Sequence, residues 1–323
     1  MSSEQTIGEP AYLIHRRFGD FDEFCENAVK WDLDYRQVER GDFTSELLMA
    51  GSSQIQFAHV RLGRRLIQQG AAPAGMRTFG LLTARDSHIF WRGQHVTGDD
   101  LFLFPVGGEL NSVTQSDFDA FALSLTEDIV ADACHSLELP ALDELQKGDE
   151  VFRVDAQELA RLRQFLTRIS KSLTNDAGVV TSGWLGQVAD ELARSLVLAL
   201  SRRQAAREPR RFRRRAQALR LVGAYLSETP TQSPRLGDLC EVANVSERTL
   251  EYAFREHYGM TPKSFINAYR LNSLRKALLL ADPATSKVYV AAQALGFWHL
   301  SQLSADYRAL FGESPSSTLQ RSA

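Results

Sequence analysis

From Tyr35 to about Leu125 the apolar positions fall into short runs that alternate with polar residues or cluster β-formers: YRQVE, FTSELLMA, IQFAHVRL, RRLIQQ, MRTFGLLT, HIFWRGQHV, DLFLFPVG and DAFALSL. Turn pairs separate them, at Gly41-Asp42, Gly51-Ser52, Arg92-Gly93, Gly98-Asp99 and Gly107-Gly108. Many short strands with no helical period between them predict a sandwich or small barrel of cupin-like or jelly-roll type. The period then lengthens. Thr126 followed by Glu127 and Asp128 spells a capped helix start, because an oxygen side chain and carboxylates suit the exposed N–H groups of a first turn. AQELARLRQFLTRISKSL sets Leu159, Leu162, Leu166, Ile169 and Leu173 on one face, and GWLGQVADELARSLVLALSRR does the same with Leu185, Val188, Leu192, Leu196 and Leu200. Such stripes need cover, either from the sheet or from a second copy, and a homodimer is the expected use.

The last third of the chain carries a phrase spelled twice. LGDLCEV gives a short helix, Asn244 a turn, Ser246 an N-cap and SERTLEYAFREHYG a longer helix; KVYVAAQAL, Gly296 and a helix from about His299 to Phe311 repeat the scheme. Leu250 and Leu303, Phe254 and Tyr307, Gly259 and Gly312, and Pro262 and Pro315 correspond. Cys240 matches Ala292, a small residue where two helices approach closely, and Asn244 matches Gly296 at the reversal, where positive φ is tolerated. This is the wiring of a helix-turn-helix. A helix read as amphipathic joins the two copies, with Thr261 as N-cap and Pro262 at its first position (TPKSFINAYRLNSLRKALLL). A duplicated unit on one connecting helix is far more specific than any single αα-hairpin.

Residues 236–320 resemble the double helix-turn-helix domain of AraC/XylS-type transcriptional regulators, and GFWHLSQLSADYRALFGESPSSTL is most similar to the XylS-like branch. The upstream β-rich segment is only loosely similar to that branch's effector-binding domain. The resemblance implies an effector-responsive regulator, commonly an activator of catabolic genes, that works on double-stranded DNA with RNA polymerase and answers to a small organic effector. The expected class is α+β: an N-terminal cupin-like or jelly-roll β-domain with flanking helices and a C-terminal all-α double helix-turn-helix domain. The expected division is 1–203 for effector binding and dimerisation, 204–215 as basic linker, and 216–323 for DNA binding.

Charge sharpens that division. Residues 202–323 hold 19 Lys and Arg against 10 Asp and Glu, net +9, whereas residues 1–201 hold 18 against 30, net −12. A basic part suits a polyanion, since clustered Lys and Arg release counterions from phosphates. RRQAAREPRRFRRR, Arg202 to Arg215, is either a solvated face or a phosphate contact. Cys25, Cys134 and Cys240 are dispersed, without the spacing of a zinc site or a disulfide framework. No apolar run approaches the ~20 residues that span a bilayer, and the N-terminus lacks a secretory layout, so the expectation is a cytoplasmic protein without membrane contact.

On the first long helix the outward set is Ser246, Glu247, Arg248, Glu251, Tyr252 and Arg255. Arg248 suits guanine O6 and N7; Glu251 suits cytosine N4 or is a solvated charge. By the resemblance, Arg248, Glu251 and Tyr252 contact bases. On the second helix the outward set is His299, Ser301, Gln302, Ser304 and Ala305. Gln302 can pair with adenine, while Ala305 can meet only a thymine methyl and departs from the polar residue usual in the XylS-like branch. For an effector, Phe57, Phe79, Phe90, Trp91, Phe102 and Phe104 could line a barrel cavity, and Arg61, Arg77 and Arg92 could meet a carboxylate. His59, His88 and His95 do not form the His-x-His and Glu cluster of a metal cupin, and no nucleotide or nucleophile motif stands in a suitable context. No metal, cofactor or catalytic residue is therefore expected, and a metal oxygenase fused to a DNA-binding module is the weaker alternative. A repressor without a small ligand stays open.

Overall fold

The computed structural model describes residues 11–28, 31–92, 94–105, 110–203, 210–228 and 234–321. Two antiparallel sheets carry the N-terminal part. The larger joins β1 (Tyr12–Phe18), β3 (Ser45–Gly51), β4 (Ile55–Leu62), β11 (Phe118–Thr126), β6 (Met76–Leu82), β9 (Asp100–Leu103) and β12 (Val151–Arg153), in that order. The smaller joins β2 (Asp32–Gln37), β5 (Leu66–Ala71), β10 (Leu110–Val113), β7 (His88–Trp91) and β8 (Gln94–Thr97). Strands β7 and β8 pair antiparallel, His88 opposite Thr97 and Trp91 opposite Gln94, with Arg92 at φ 46° just after β7. A short helix, α1 (Phe21–Asn27), follows β1 and is capped by Asp20, whose carboxylate accepts from the N–H groups of Asp22 and Glu23.

Helices α2 (Glu127–Ser136), α3 (Leu142–Gln146), α4 (Ala156–Asn175) and α5 (Ser182–Ser201) cover the outer face of the larger sheet. Leu159, Leu166, Leu192 and Leu196 share one core with Phe57, Phe79 and Leu123. Both apolar stripes are buried within the chain, which corrects the dimer seam expected of them: these faces offer nothing to a second copy. Thr126 stands at the N-cap of α2 but makes no capping hydrogen bond. Asp155 does cap α4, accepting from the N–H groups of Gln157 at 2.9 Å and Glu158 at 3.2 Å.

The remaining helices are α6 (Arg210–Glu228), α7 (Leu236–Ala243), α8 (Glu247–Tyr258), α9 (Pro262–Leu279), α10 (Val288–Ala294), α11 (Leu300–Phe311) and α12 (Pro315–Arg321). Helix α6 begins inside the stretch read as linker. Its apolar face, with Leu219, Val222 and Leu226, joins a core that also takes Val38, Ile67 and Val113 from the smaller sheet. Four layers result: helices, sheet, sheet, helices. The connecting helix α9 is not amphipathic. Phe265, Tyr269, Leu271, Asn272, Leu274, Arg275 and Leu278 are all buried, because α9 is wedged between the two helix-turn-helix units on one side and the β2 edge on the other. Among the described residues no helix is long and apolar enough to cross a membrane.

Candidate nucleic-acid interface

The two repeats fold alike because the same local rules act twice. Asn244 takes φ 49° and Gly296 φ 75° at the turns, and Gly259 and Gly312 end the longer helices at φ 64° and 76°. A β-carbon is strained at such angles, so Asn and Gly are the residues that serve there. Pro262 and Pro315 then open the next helix, where a missing N–H costs nothing. Phe254 and Tyr307 are wholly buried at equivalent places. Tyr307 keeps its hydroxyl bonded to Thr318 Oγ1 at 2.8 Å.

On α8, Leu250, Ala253 and Phe254 face the core, and Ser246, Glu247, Arg248, Glu251, Tyr252 and Arg255 are exposed. The Ser246 hydroxyl accepts from Thr249 N–H, as an N-cap should. Tyr252 organises the outer face: the guanidinium groups of Arg248 and Arg215 lie 5.7 and 5.6 Å from its ring centroid. Arg215 also pairs with Glu256 at 2.6 Å, and Arg255 with Glu251 at 3.6 Å. Arg214, Arg215, Asn244 and Ser246 border an open groove beside the turn. The arginine run thus supplies at least Arg215 to this face; the side chain of Arg213 lies outside the described residues.

On α11, His299 is the N-cap residue but makes no capping bond, and Ser301, Gln302, Ser304 and Ala305 are exposed. Gln302 turns its amide N–H toward Asp306 one turn along, at 3.0 Å, and Asn267 donates to the same carboxylate at 3.3 Å.

Sequence reasoning missed the seam that holds these helices. The Gln37 side-chain amide donates to the Leu310 carbonyl at 2.7 Å and Gly41 N–H to the Ala309 carbonyl at 3.2 Å, both at the C-terminus of α11. Arg65 Nη1 donates to the Tyr258 carbonyl at the C-terminus of α8. Asn272 on α9 pairs with the Gln37 backbone in both directions, at 2.9 and 2.7 Å. Arg275, also on α9 and buried, donates to Asp22 at 2.7 Å, and Arg321 joins Asp20 and Asp22. Asn272 and Arg275, in helical register with the apolar positions Phe265, Ala268 and Tyr269, were the available signal, since buried polar groups demand partners.

At the far edge of the seam Phe90 packs edge-on against His257 of α8, with ring centroids 4.5 Å apart. His95 lies 5.3 Å from Phe90 and 5.2 Å from His88. Burial pushes the His257 imidazole down to about 4; His95 and Arg215 add to the shift and Glu256 opposes it. His59 is buried between Ser170 Oγ at 2.8 Å and Asp119 at 2.7 Å, tying α4 to β11. Among the described residues no three His, Cys, Asp or Glu converge as a metal site would require.

Between the sheets lies a cavity of about 60 Å³ lined by Trp31, Tyr35, Gln68, Trp91, Phe102, Phe104 and further, mostly apolar, groups. Of Trp91, Arg61, Arg77 and Arg92, the effector candidates besides the phenylalanines, Trp91 lines it, and its indole N–H has no hydrogen-bond partner among the described residues. The other three lie elsewhere: Arg61 with Glu46 and Asp119 at 2.9 and 3.0 Å, Arg77 with Asp143 at 2.9 Å, and Arg92 with Glu150 at 3.0 Å. Phe57 and Phe79 belong to the core on the opposite face of the larger sheet.

A helix-turn-helix domain family model matches residues 239–321. "XylDLEGF operon transcriptional activator 3" of Pseudomonas putida is 27% identical over 246 residues, spanning 72% of this chain and 70% of that protein. Over 102 residues, 31% of each chain, "XylDLEGF operon transcriptional activator 1" of the same organism is 36% identical. Among solved structures, a "probable AraC family transcriptional regulator" from Rhodopseudomonas palustris is 34% identical, covering 32% of this chain and 96% of that one, with a TM-score of 0.30.

Proposed function

Given that this chain belongs to the AraC/XylS-type transcriptional regulators, we propose that it binds DNA and activates transcription by laying α8 and α11 in successive major grooves, under control of a small organic effector. The observation that carries this reading is the arrangement of the two longer helices: their outward faces are exposed, while their C-termini are gripped from the β-domain. A recognition helix enters the groove by its N-terminal residues, so a grip at the C-terminus leaves reading unobstructed. Ser246, Glu247, Arg248, Glu251, Tyr252 and Arg255 then face one half-site, and His299, Ser301, Gln302 and Ala305 the other. The relatives named as operon activators support activation rather than repression.

The effector belongs between the sheets, where the cavity of about 60 Å³ must widen to admit an organic molecule, with Trp91 as its hydrogen-bond donor. Strands β2 and β5 connect that cavity to the reading helices. Leu33, Tyr35 and Gln68 line it, while Gln37 ends β2 and Arg65 precedes β5. A ligand that favours one placement of these strands biases the grip on α8 and α11, to the extent of its differential affinity. Homodimerisation, contact with RNA polymerase, action in the cytoplasm and the absence of catalysis complete the reading as proposals.

The test starts from binding sites selected out of randomised duplex DNA and measured by fluorescence anisotropy. Arg248→Ala should weaken binding by about 1–3 kcal/mol and relax preference at one base pair. Unchanged affinity together with unchanged base preference would remove Arg248 from the interface.

A further inference from the structure

The two helix-turn-helix units differ in what they offer a groove. Between Leu236 and Tyr258 there are seven charged residues; between Val288 and Phe311 there are two, Asp306 and Arg308. The second unit is instead apolar on its outside. Of the seven large apolar side chains exposed among the described residues, four belong to it: Tyr289 at 45%, Val290 at 54%, Trp298 at 74% and Leu300 at 44%. Tryptophan is highly buried on average, so one that is three-quarters exposed beside another exposed leucine marks a surface kept for contact.

We propose that the second helix-turn-helix reads thymine, by packing Trp298, Leu300 and Ala305 against 5-methyl groups in the major groove. This rests on the DNA-reading role argued above. The methyl of thymine is the one apolar feature of a base edge in that groove, and an apolar side chain is its natural partner. Trp298 and Leu300 flank His299, the N-cap of α11, at the end by which a recognition helix enters the groove, so the patch is continuous with the exposed face of Ser301, Ser304 and Ala305.

Polar reading by the same helix is weak. Gln302 spends an amide N–H on Asp306, and three of the side chains that remain outward are Ser, Ser and Ala. Such small groups let the helix approach the base edges closely. The turn before α11 is held rigid: Arg270 donates to the Leu295 carbonyl at 2.9 and 2.6 Å and lies 4.5 Å from the ring centroid of buried Phe297. Trp298, next in the chain, is presented outward from a fixed base. With guanine read by Arg248 and thymine by Trp298, the two half-sites carry different chemistry, which orients the protein on its operator.

The experiment uses the full chain and duplexes selected as above, with the half-site of each unit assigned by footprinting. Replacing single thymines by uracil removes only the methyl group. In the second half-site, wild-type protein should lose about fourfold per contacted methyl, the worth of burying one such group. Trp298→Ala and Leu300→Ala should bind the thymine duplex about tenfold more weakly, and each should no longer distinguish uracil from thymine at its own position. Both side chains are exposed, so the fold is not at stake, and an unchanged thermal melt verifies it. A wild-type protein indifferent to uracil throughout the second half-site overturns the inference. So do variants that keep the full uracil penalty, or that bind normally and lose only transcription, which would give the patch to a protein partner. Arg248→Ala separates the two readings: a changed guanine preference with no uracil effect sinks thymine reading alone, and no effect of either sinks the DNA-reading assignment too.

Discussion

Lowering the pH should loosen the seam through His257. His257 is 2% exposed, and neither ring nitrogen has a hydrogen-bond partner among the described residues. The folded chain therefore holds the neutral imidazole, with its pKa pushed by burial down to about 4, against about 6.5 in an unfolded chain. A histidine depressed in this way contributes stability that is complete above pH 6.5 and drains away as the pH falls toward 4, because the unfolded chain binds the proton first. That difference amounts to about 3 kcal/mol when fully developed and about 2 kcal/mol at pH 5. The charged groups around it act in both directions: Arg215 on α6 and His95 on β8 resist protonation, and Glu256 on α8 favours it. The assay is urea unfolding at pH 7 and pH 5 for wild type and His257→Leu, which keeps an apolar contact for Phe90. The variant should be at least as stable at pH 7, where it removes two unsatisfied polar atoms. It should also lose about 2 kcal/mol less than wild type on moving to pH 5. Parallel losses in both proteins would show that His257 is not held neutral, and the burial argument would fail with them.

Three further outcomes follow from the same structure. Asn272→Leu leaves the Gln37 N–H and carbonyl without their buried partners and should cost about 2–4 kcal/mol in thermal or urea unfolding. Arg275→Met leaves Asp22 with Arg321 alone and takes a partner from Glu313, and should cost about 1.5–3 kcal/mol, less in an Asp22→Asn background, as a double-mutant cycle would show. Replacing Arg214 and Arg215 by Gln should lower the slope of log affinity against log salt by about 2 if both meet phosphates; an unaltered slope returns them to the solvated face.

What could be read from one chain followed the range of the interactions. The helix-turn-helix units are set by neighbours within a turn or two, such as Ser246 with Thr249 or Gly312 at a helix end, and their boundaries were legible. The strand runs were legible too, except at the edges. Strand β1 carries exposed His15, Arg16 and Arg17 in a row before buried Phe18, so it shows no alternation to detect. The stripes on α4 and α5 announced burial but not the surface that covers them, because a sheet and a second copy ask for the same pattern. Long-range polar pairs left the least trace. Gln37 and Asn272 are 235 residues apart, and nothing near either one names the other. Arg61, Arg77 and Arg92 looked available as effector ligands because their carboxylate partners Asp119, Asp143 and Glu150 lie 58, 66 and 58 residues away, beyond any local pattern.

The grip on the reading helices has a direction that bears on control. A helix carries partial negative charge at its C-terminus, where the last carbonyls lack partners, and cations or N–H donors there stabilise it. In this chain those donors come from the β-domain: Arg65 for α8, and Gln37 and the Gly41 N–H for α11. Each helix therefore gains stability only while the two parts stay docked, and the β-domain in turn fixes how α8 and α11 sit relative to each other through one edge. Rotating that edge shifts both helices together, whereas breaking it leaves carbonyls of both to water. Under the proposed effector control this seam would switch between two arrangements, and only a modest bias is then needed: about 1.4 kcal/mol of differential binding alters their ratio tenfold. Gln37→Ala and Arg65→Ala should consequently lower affinity for a two-half-site duplex more than for either half-site alone, and equal losses on all three duplexes would show that the seam does not set the spacing.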